Sequence, residues 1–502
     1  MRKEFESGLK RSLKRKIKIT MGLIVSFMIM GNIGYSSPVE VQSGDNNGTD
    51  FIISSPKDNG DYTFTSSEDT SIDITGYGGF NVRGDEGKIN LTFNGNTIFT
   101  SSNVNKYIGA ALKLDSRIGN TYLNINGNNK NLSIIDENNS IAAGISSISG
   151  DEQYESSLKI ENINDLKIDL NKAGSLGINI NKGTGTITAN NNIYINAKRS
   201  AIDVSDALVS LKGKNIYLNS GDGYTDTIVS SEGSEVNIIA EKQITVDSNK
   251  NQGRALEAIY GSEINLTGQS IKLTGKNAIF SGNDSGEDNN IEKINKINLK
   301  ADSYEIYGDI IALRENSKID ILDKSAEIKG NNKIAFNEEQ IINYKANGIV
   351  NDNYIRVISV NNSNINLDLS GENSILIGRL DDYTGFETIK RNEKLDDRNT
   401  KYEAFSSGQI DLKLDENGIW VAKGNSYLTS LNIKNSYIDL STDKTANLIH
   451  TNKIEGNGTF ALNIDTTENR NGSMIYIKEA DNISENNIEI KNINLENFDL
   501  GE

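Results

Sequence analysis

The chain has 502 residues, no cysteine and a formal charge of −17, with 69 acidic residues set against 52 basic ones. These figures exclude disulfides, a thiolate nucleophile and a cysteine-based zinc site, and they argue against nucleic acid as a partner. A length of this size ordinarily means about three globular domains, unless the chain is a repeat.

Residues 1–37 differ in character from the rest of the chain. Arg2, Lys3, Lys10, Arg11, Lys14, Arg15, Lys16 and Lys18 precede an apolar stretch from Met21 to Ile33, and the small residues Gly34, Ser36 and Ser37 come next. This is the pattern of an extended secretory signal peptide. The apolar run is shorter than the ~20 residues that a membrane-spanning helix needs. Its removal takes away eight positive and two negative residues, a net +6, and leaves a chain of −23. The expectation is an acidic protein exported to the outer membrane and cell surface, or secreted. Residues 38–70 are more polar and read as an N-terminal cap or flexible lead-in.

From residue 71 to 419 the chain repeats itself. An alternating apolar pair is followed, after a polar turn, by a second pair: Leu158 and Ile160 then Leu166 and Ile168, Val209 and Leu211 then Ile216 and Leu218, Val236 and Ile238 then Ile244 and Val246. Taking Ile160, Ile187, Leu211, Ile238, Leu266, Leu299 and Ile321 as equivalent points, the intervals are 27, 24, 27, 28, 33 and 22. Alternation turns one strand face inward, and an unpaired edge seeks the next copy of the same strand. Coiling the chain so that each turn pairs with the previous one satisfies both demands. The expected fold is therefore all-β, a right-handed parallel β-helix (a β-solenoid) with projecting loops, of some fifteen rungs and order 70 Å long at ~4.8 Å per rung. Only Pro38 and Pro56 occur, so nothing later removes a backbone donor from the ladder. Asparagine and glycine, as in Gly127-Asn128-Asn129 and Asn190-Asn191-Asn192, suit bends that need positive φ. Irregular intervals place loops at 283–290 and 379–400, where binding is expected.

The stretch beginning Trp420-Val-Ala-Lys-Gly-Asn-Ser-Tyr-Leu, together with Leu448-Ile-His-Thr-Asn-Lys-Ile-Glu-Gly-Asn-Gly-Thr-Phe, resembles the junction region of pertactin-like autotransporter passengers, the segment called the autochaperone. The basic extended signal is similar to those of large autotransporters too. The resemblance implies that residues 420–481 form the terminal rungs, that Trp420 and Phe460 pack in them, and that Gly456, Asn457 and Gly458 make a tight bend. It also implies type V secretion, with an outer-membrane barrel in cis if the gene continues. Residues 482–502 read as the start of a linker or a further rung, too few to build a barrel. The chain is thus expected to be part of a longer protein. A haemagglutinin-type passenger exported by a separate barrel is the alternative, but neither proline here has an asparagine neighbour.

No enzyme is expected. Gly282-Asn283-Asp284-Ser285-Gly286 approaches a serine-protease nucleophile motif, but the one histidine, His450, lies downstream, against the trypsin-like order. The acidic pairs Asp381-Asp382 and Asp396-Asp397 read as solvated loop charge, not as the paired carboxylates of a polysaccharide-degrading β-helix. No cofactor or metal is expected. Arg83-Gly84-Asp85 is a possible adhesion motif. The functional expectation is an adhesin or surface structural rod that binds a protein or glycan ligand on host or neighbouring bacterial cells, with a polysaccharide-degrading enzyme or a toxin-like secreted passenger as alternatives.

Overall fold

The computed structural model describes residues 39–40, 44–53, 62–74, 79–83, 87–102, 107–117, 119–149, 154–221, 225–248, 252–282, 294–313, 317–323, 331–348, 353–370, 374–383, 406–415, 417–442, 447–465, 472–481 and 486–494. Met1–Val39 separates from Glu40–Glu502 as a unit of its own. The expected signal peptide lies outside the described residues.

Glu40–Glu502 is a right-handed parallel β-helix. Its register is set by one inward column of fourteen apolar residues: Phe64, Leu91, Ile125, Ile160, Ile187, Leu211, Ile238, Leu266, Leu299, Ile321, Leu367, Leu412, Leu431 and Ile454. Every step of the series from Ile160 to Ile321 read from the sequence is a Cα pairing in the ladder. A second column runs from Ile134 through Ile168, Ile195 and Leu218 to Leu376, Trp420, Ile438 and Phe460. A third joins Leu112, Ile145, Ile178, Ile202, Ile228, Leu256, Ile279, Ile310, Val357 and Leu380. Three columns mean three strands per turn. Their side chains meet in one continuous core, each fully buried Ile or Leu contributing about 1.5–3 kcal/mol before the cost of ordering the chain.

Paired parallel strands begin at Gly44–Ile53 and Tyr62–Ile74, so the stack starts before residue 71. The segment expected as a cap or lead-in supplies the first strands instead. Phe64, Phe80, Phe93 and Phe99 fill this end with ring centroids 6.0–6.4 Å apart, mostly edge to face. Large aromatic side chains thus fill the core at this end as Trp420 and Phe460 do toward the other.

The bends use asparagine in two ways. Asn128 and Asn129 take positive φ, 44° and 62°, as their position in the sequence implied. Asn191 does not, and its amide instead donates to Asn164 Oδ1 at 2.8 Å, while Asn164 donates to Asn131 Oδ1 at 3.0 Å. Asn192, Asn215 and Asp165 form a parallel series one residue along. An amide carries a donor and an acceptor together, so it can link the rung above to the rung below.

Asp115, buried near the end of the strand Leu112–Ser116, shows how a carboxylate is held in the coil. Burial pushes its carboxyl up, but Arg117, which donates from Nε at 2.7 Å and Nη2 at 2.6 Å, outweighs this and holds it below the ordinary range. A depressed carboxylate stabilises the fold above its unfolded pKa and loses that contribution as pH falls through the folded value. Asp115→Asn is therefore expected to cost up to about 1 kcal/mol at pH 7, because Arg117 is half exposed, and to cost less below about pH 4. Urea titrations of both proteins at pH 7 and pH 3 check it, and a gap that widens in acid contradicts it.

Candidate functional site

One helix interrupts the coil among the described residues. Glu338–Asn347 is started by a capping box in which the Asn337 side chain accepts from Gln340 N and the Gln340 side chain accepts from Asn337 N. Glu338 and Glu339 sit in the first turn and Lys345 in the last, favouring the helix dipole. Gly348 ends it with φ 67°.

The helix rests on the outer face of the sheet that carries Trp420 and Phe460 inward. Because side chains alternate, the neighbours of Leu376, Trp420, Ile438 and Phe460 point out. They form two outward columns, Ile375, Ile419, Tyr437, Thr459 and Asn487, and Ile377, Val421, Asp439, Ala461 and Glu489. Ile375, Ile377 and Val421 are buried against Ile341 and Tyr344 of the helix, with Tyr307 and Ala335, in a second apolar cluster outside the coil. Beyond the helix the columns turn polar. There they form the floor of a groove of about 1120 Å³ lined by Tyr344, Lys345, Asn347, Tyr437, Asp439, Thr442, Lys491 and Asn492. A recess of about 490 Å³, lined by Asn417, Asn435, Asn457, Thr459 and Asn487, adjoins it through Ile419 and Tyr437.

Asp439 and Lys491 in this groove are paired, while Lys345 stands exposed at the end of the helix. Tyr344 Oη donates to Asp439 Oδ2 at 2.9 Å, and Asp439 Oδ1 accepts from Ser441 N at 2.8 Å and Oγ at 2.6 Å. Tyr437 Oη donates to Glu489 Oε2 at 2.9 Å, Lys491 donates to Oε1 of the same carboxylate at 2.6 Å, and the Lys491 ammonium stands 5.7 Å from the Tyr437 ring centroid. Burial, then Asp439, raises the Tyr344 hydroxyl far above its usual range, and burial also raises that of Tyr437. Both phenols therefore remain donors at neutral pH. Thr442 Oγ1 is buried at the groove wall with no hydrogen-bond partner among the described residues.

The residues singled out from the sequence fall in several places. Arg83 ends the strand Phe80–Arg83, while Gly84 and Asp85 lie outside the described residues. Trp420 is fully buried in the core with Nε1 donating to Gly378 O at 3.1 Å, and Phe460 is buried forty residues on in the same column. Gly456, Asn457 and Gly458 lie within the continuous strand Leu448–Asp465, between Ile454 of the first inward column and Phe460 of the second, and the chain bends at Gly456 with φ 92°. Asn457 lines the recess and donates to Asn435 Oδ1 at 2.8 Å.

Asp381 and Asp382 are fully buried, not solvated loop charge. Residues 379–381 belong to the strand Ile375–Asp381, not to a loop. There Asp382 Oδ2 accepts from Thr429 Oγ1 at 2.7 Å and Asp381 Oδ1 accepts from Tyr383 N at 3.2 Å. Asp396, Asp397, Ser285 and residues 283–290 lie outside the described residues. His450 stacks on Tyr476 at 4.7 Å with planes 6° apart, and its ring centroid is 5.9 Å from that of Tyr427. Tyr344, Tyr437 and Lys491 were not singled out. The signals for them were the Asn337–Gln340 capping box and the outward parity of Tyr437, next to inward Ile438.

Over 84 residues the sequence is 32% identical to an immunoglobulin A1 protease autotransporter of Haemophilus influenzae. The chain is similar to part of an autotransporter. The similarity covers 16% of this chain and 4% of that protein, so the match spans a small part of its relative's length. No family model matches the chain, and no solved structure does.

Proposed function

We propose that this chain is an autotransporter passenger, displayed at the cell surface or released from it, and that it is an adhesive rod without catalytic activity. The similarity over 84 residues to an autotransporter, in a chain folded as a long parallel β-helix, carries the reading. A solenoid of this kind presents successive rungs as one extended surface, and the groove beside Glu338–Asn347 is the candidate place for a ligand. The relative's name records a protease. The single histidine of this chain is flanked by the rings of Tyr427 and Tyr476, which favours a structural role for it over that of a general base.

The test is display. Bacteria that carry the chain in front of an autotransporter barrel are treated with a membrane-impermeant biotin reagent and then counted on epithelial monolayers and on like bacteria. Labelling with at least a fivefold rise in attachment is expected. Efficient labelling with attachment no greater than that of barrel-only cells removes the adhesive reading. Failure to reach the surface removes the passenger reading.

A further inference from the structure

We infer that the groove between the helix and the last rungs binds an uncharged oligosaccharide. The inference rests on the adhesive reading for its biological sense, but its chemistry comes from the groove alone.

Sugars are recognised by an aromatic ring against their C–H face and by groups that donate and accept to neighbouring hydroxyls. Tyr437 borders both the groove and the recess, and its hydroxyl bond to Glu489 fixes the ring in place. Around it stand the amides of Asn347, Asn457, Asn487 and Asn492, each a donor and an acceptor at once. Tyr344 adds a second ring from the helix, its hydroxyl already committed to Asp439.

The charge pattern selects among ligands. Asp439 is filled by three donors, and Glu489 is shared between Lys491 and Tyr437. Neither carboxylate awaits a cation. The Lys491 ammonium, the cation at the groove floor, is neutralised by Glu489 at 2.6 Å, on a chain whose formal charge is −17. A sulfated or sialylated chain would meet that overall negative charge with one further exposed cation of the lining, Lys345 in the last turn of the helix, to set against it. An extended peptide is disfavoured along Ser426–Asp439 and Leu448–Asp465, because these strands are paired on both sides and present side chains to the groove, not open backbone. Two linked hollows of about 1120 and 490 Å³ give room for several sugar rings laid across the rungs.

The experiment applies the full chain to an array of neutral, sialylated and sulfated glycans and then measures affinity for the neutral hits by titration. Binding to neutral glycans is expected, with Tyr437→Ala weakening it at least tenfold at unchanged far-ultraviolet circular dichroism. Tyr437→Phe should keep most of it, because stacking survives. Should Tyr437→Ala fail to fold, Asn487→Ala on the exposed rim serves instead, with at least a threefold loss expected. Binding restricted to anionic glycans, or neutral binding that both variants leave intact, overturns the inference. Displayed wild-type cells that adhere while showing no array binding retire the groove and leave adhesion standing. Array binding without adhesion does the reverse.

Discussion

Gly456→Ala is expected to destabilise the last rungs by about 3 kcal/mol or more. Gly456 has φ 92°, and a Cβ built there would stand 1.8 Å from the backbone oxygen of Ile433, its partner in the ladder. Neither side can yield cheaply. Ile433 pairs with Leu414 on one side and Gly456 on the other, so its carbonyl is held between two rungs. Because stability in a stacked repeat accrues rung by rung, the damage should be local. Hydrogen exchange should accelerate across Ser426–Asp439 and Leu448–Asp465, while strands such as Glu235–Asp247 stay protected. Unchanged exchange in the last rungs would show that the backbone accommodates the methyl group.

The second large effect concerns a buried ion pair. Arg254 and Glu257 are 1% and 3% exposed, hydrogen-bonded to each other, with the guanidinium carbon 3.6 Å from the Phe280 ring centroid. Removing the cation alone leaves a buried carboxylate without its counter-charge. Arg254→Met is therefore expected to cost about 3–5 kcal/mol, whereas Arg254→Met combined with Glu257→Leu should recover most of it, since replacing both partners by apolar groups avoids desolvating two charges. Chemical denaturation of the two variants beside the parent decides. A double variant no more stable than the single one points to lost packing on Phe280, not to lost charge, as the cause.

Much of the coil was legible because its rule is short. Two-residue alternation fixes which side chains point inward, and stacking makes inward residues equivalent from rung to rung, so Ile160, Ile187, Leu211 and Ile238 could be aligned from spacing alone. Features outside that rule were harder to read. The helix Glu338–Asn347 falls in the 46-residue interval between Ile321 and Leu367, just past the run from Ile160 to Ile321 that the alternation aligned. Its capping box is a local signal that periodicity does not see. Asp381 and Asp382 look like surface charge in one dimension. In three they face Tyr427 and Thr429 on the following rung, and burial follows from a neighbour 46 or 47 residues away. The groove has the same origin. Tyr344, Tyr437 and Lys491 are spread over 147 residues and meet only because a helix folds back on the outer face and the rungs bring later strands beside it.

The paired columns tolerate very unequal lengths of chain between their members. Leu299 and Ile321 are 22 residues apart, Ile321 and Leu367 are 46, and Leu367 and Leu412 are 45, yet all pair in register. Closing a loop of twice the length costs only about 0.6 kcal/mol more. Each corner of the coil is therefore a socket into which new chain can be spliced without renegotiating the core. In such a molecule novelty is cheap at the surface, and two descendants could share every inward residue while differing wholly in what they touch.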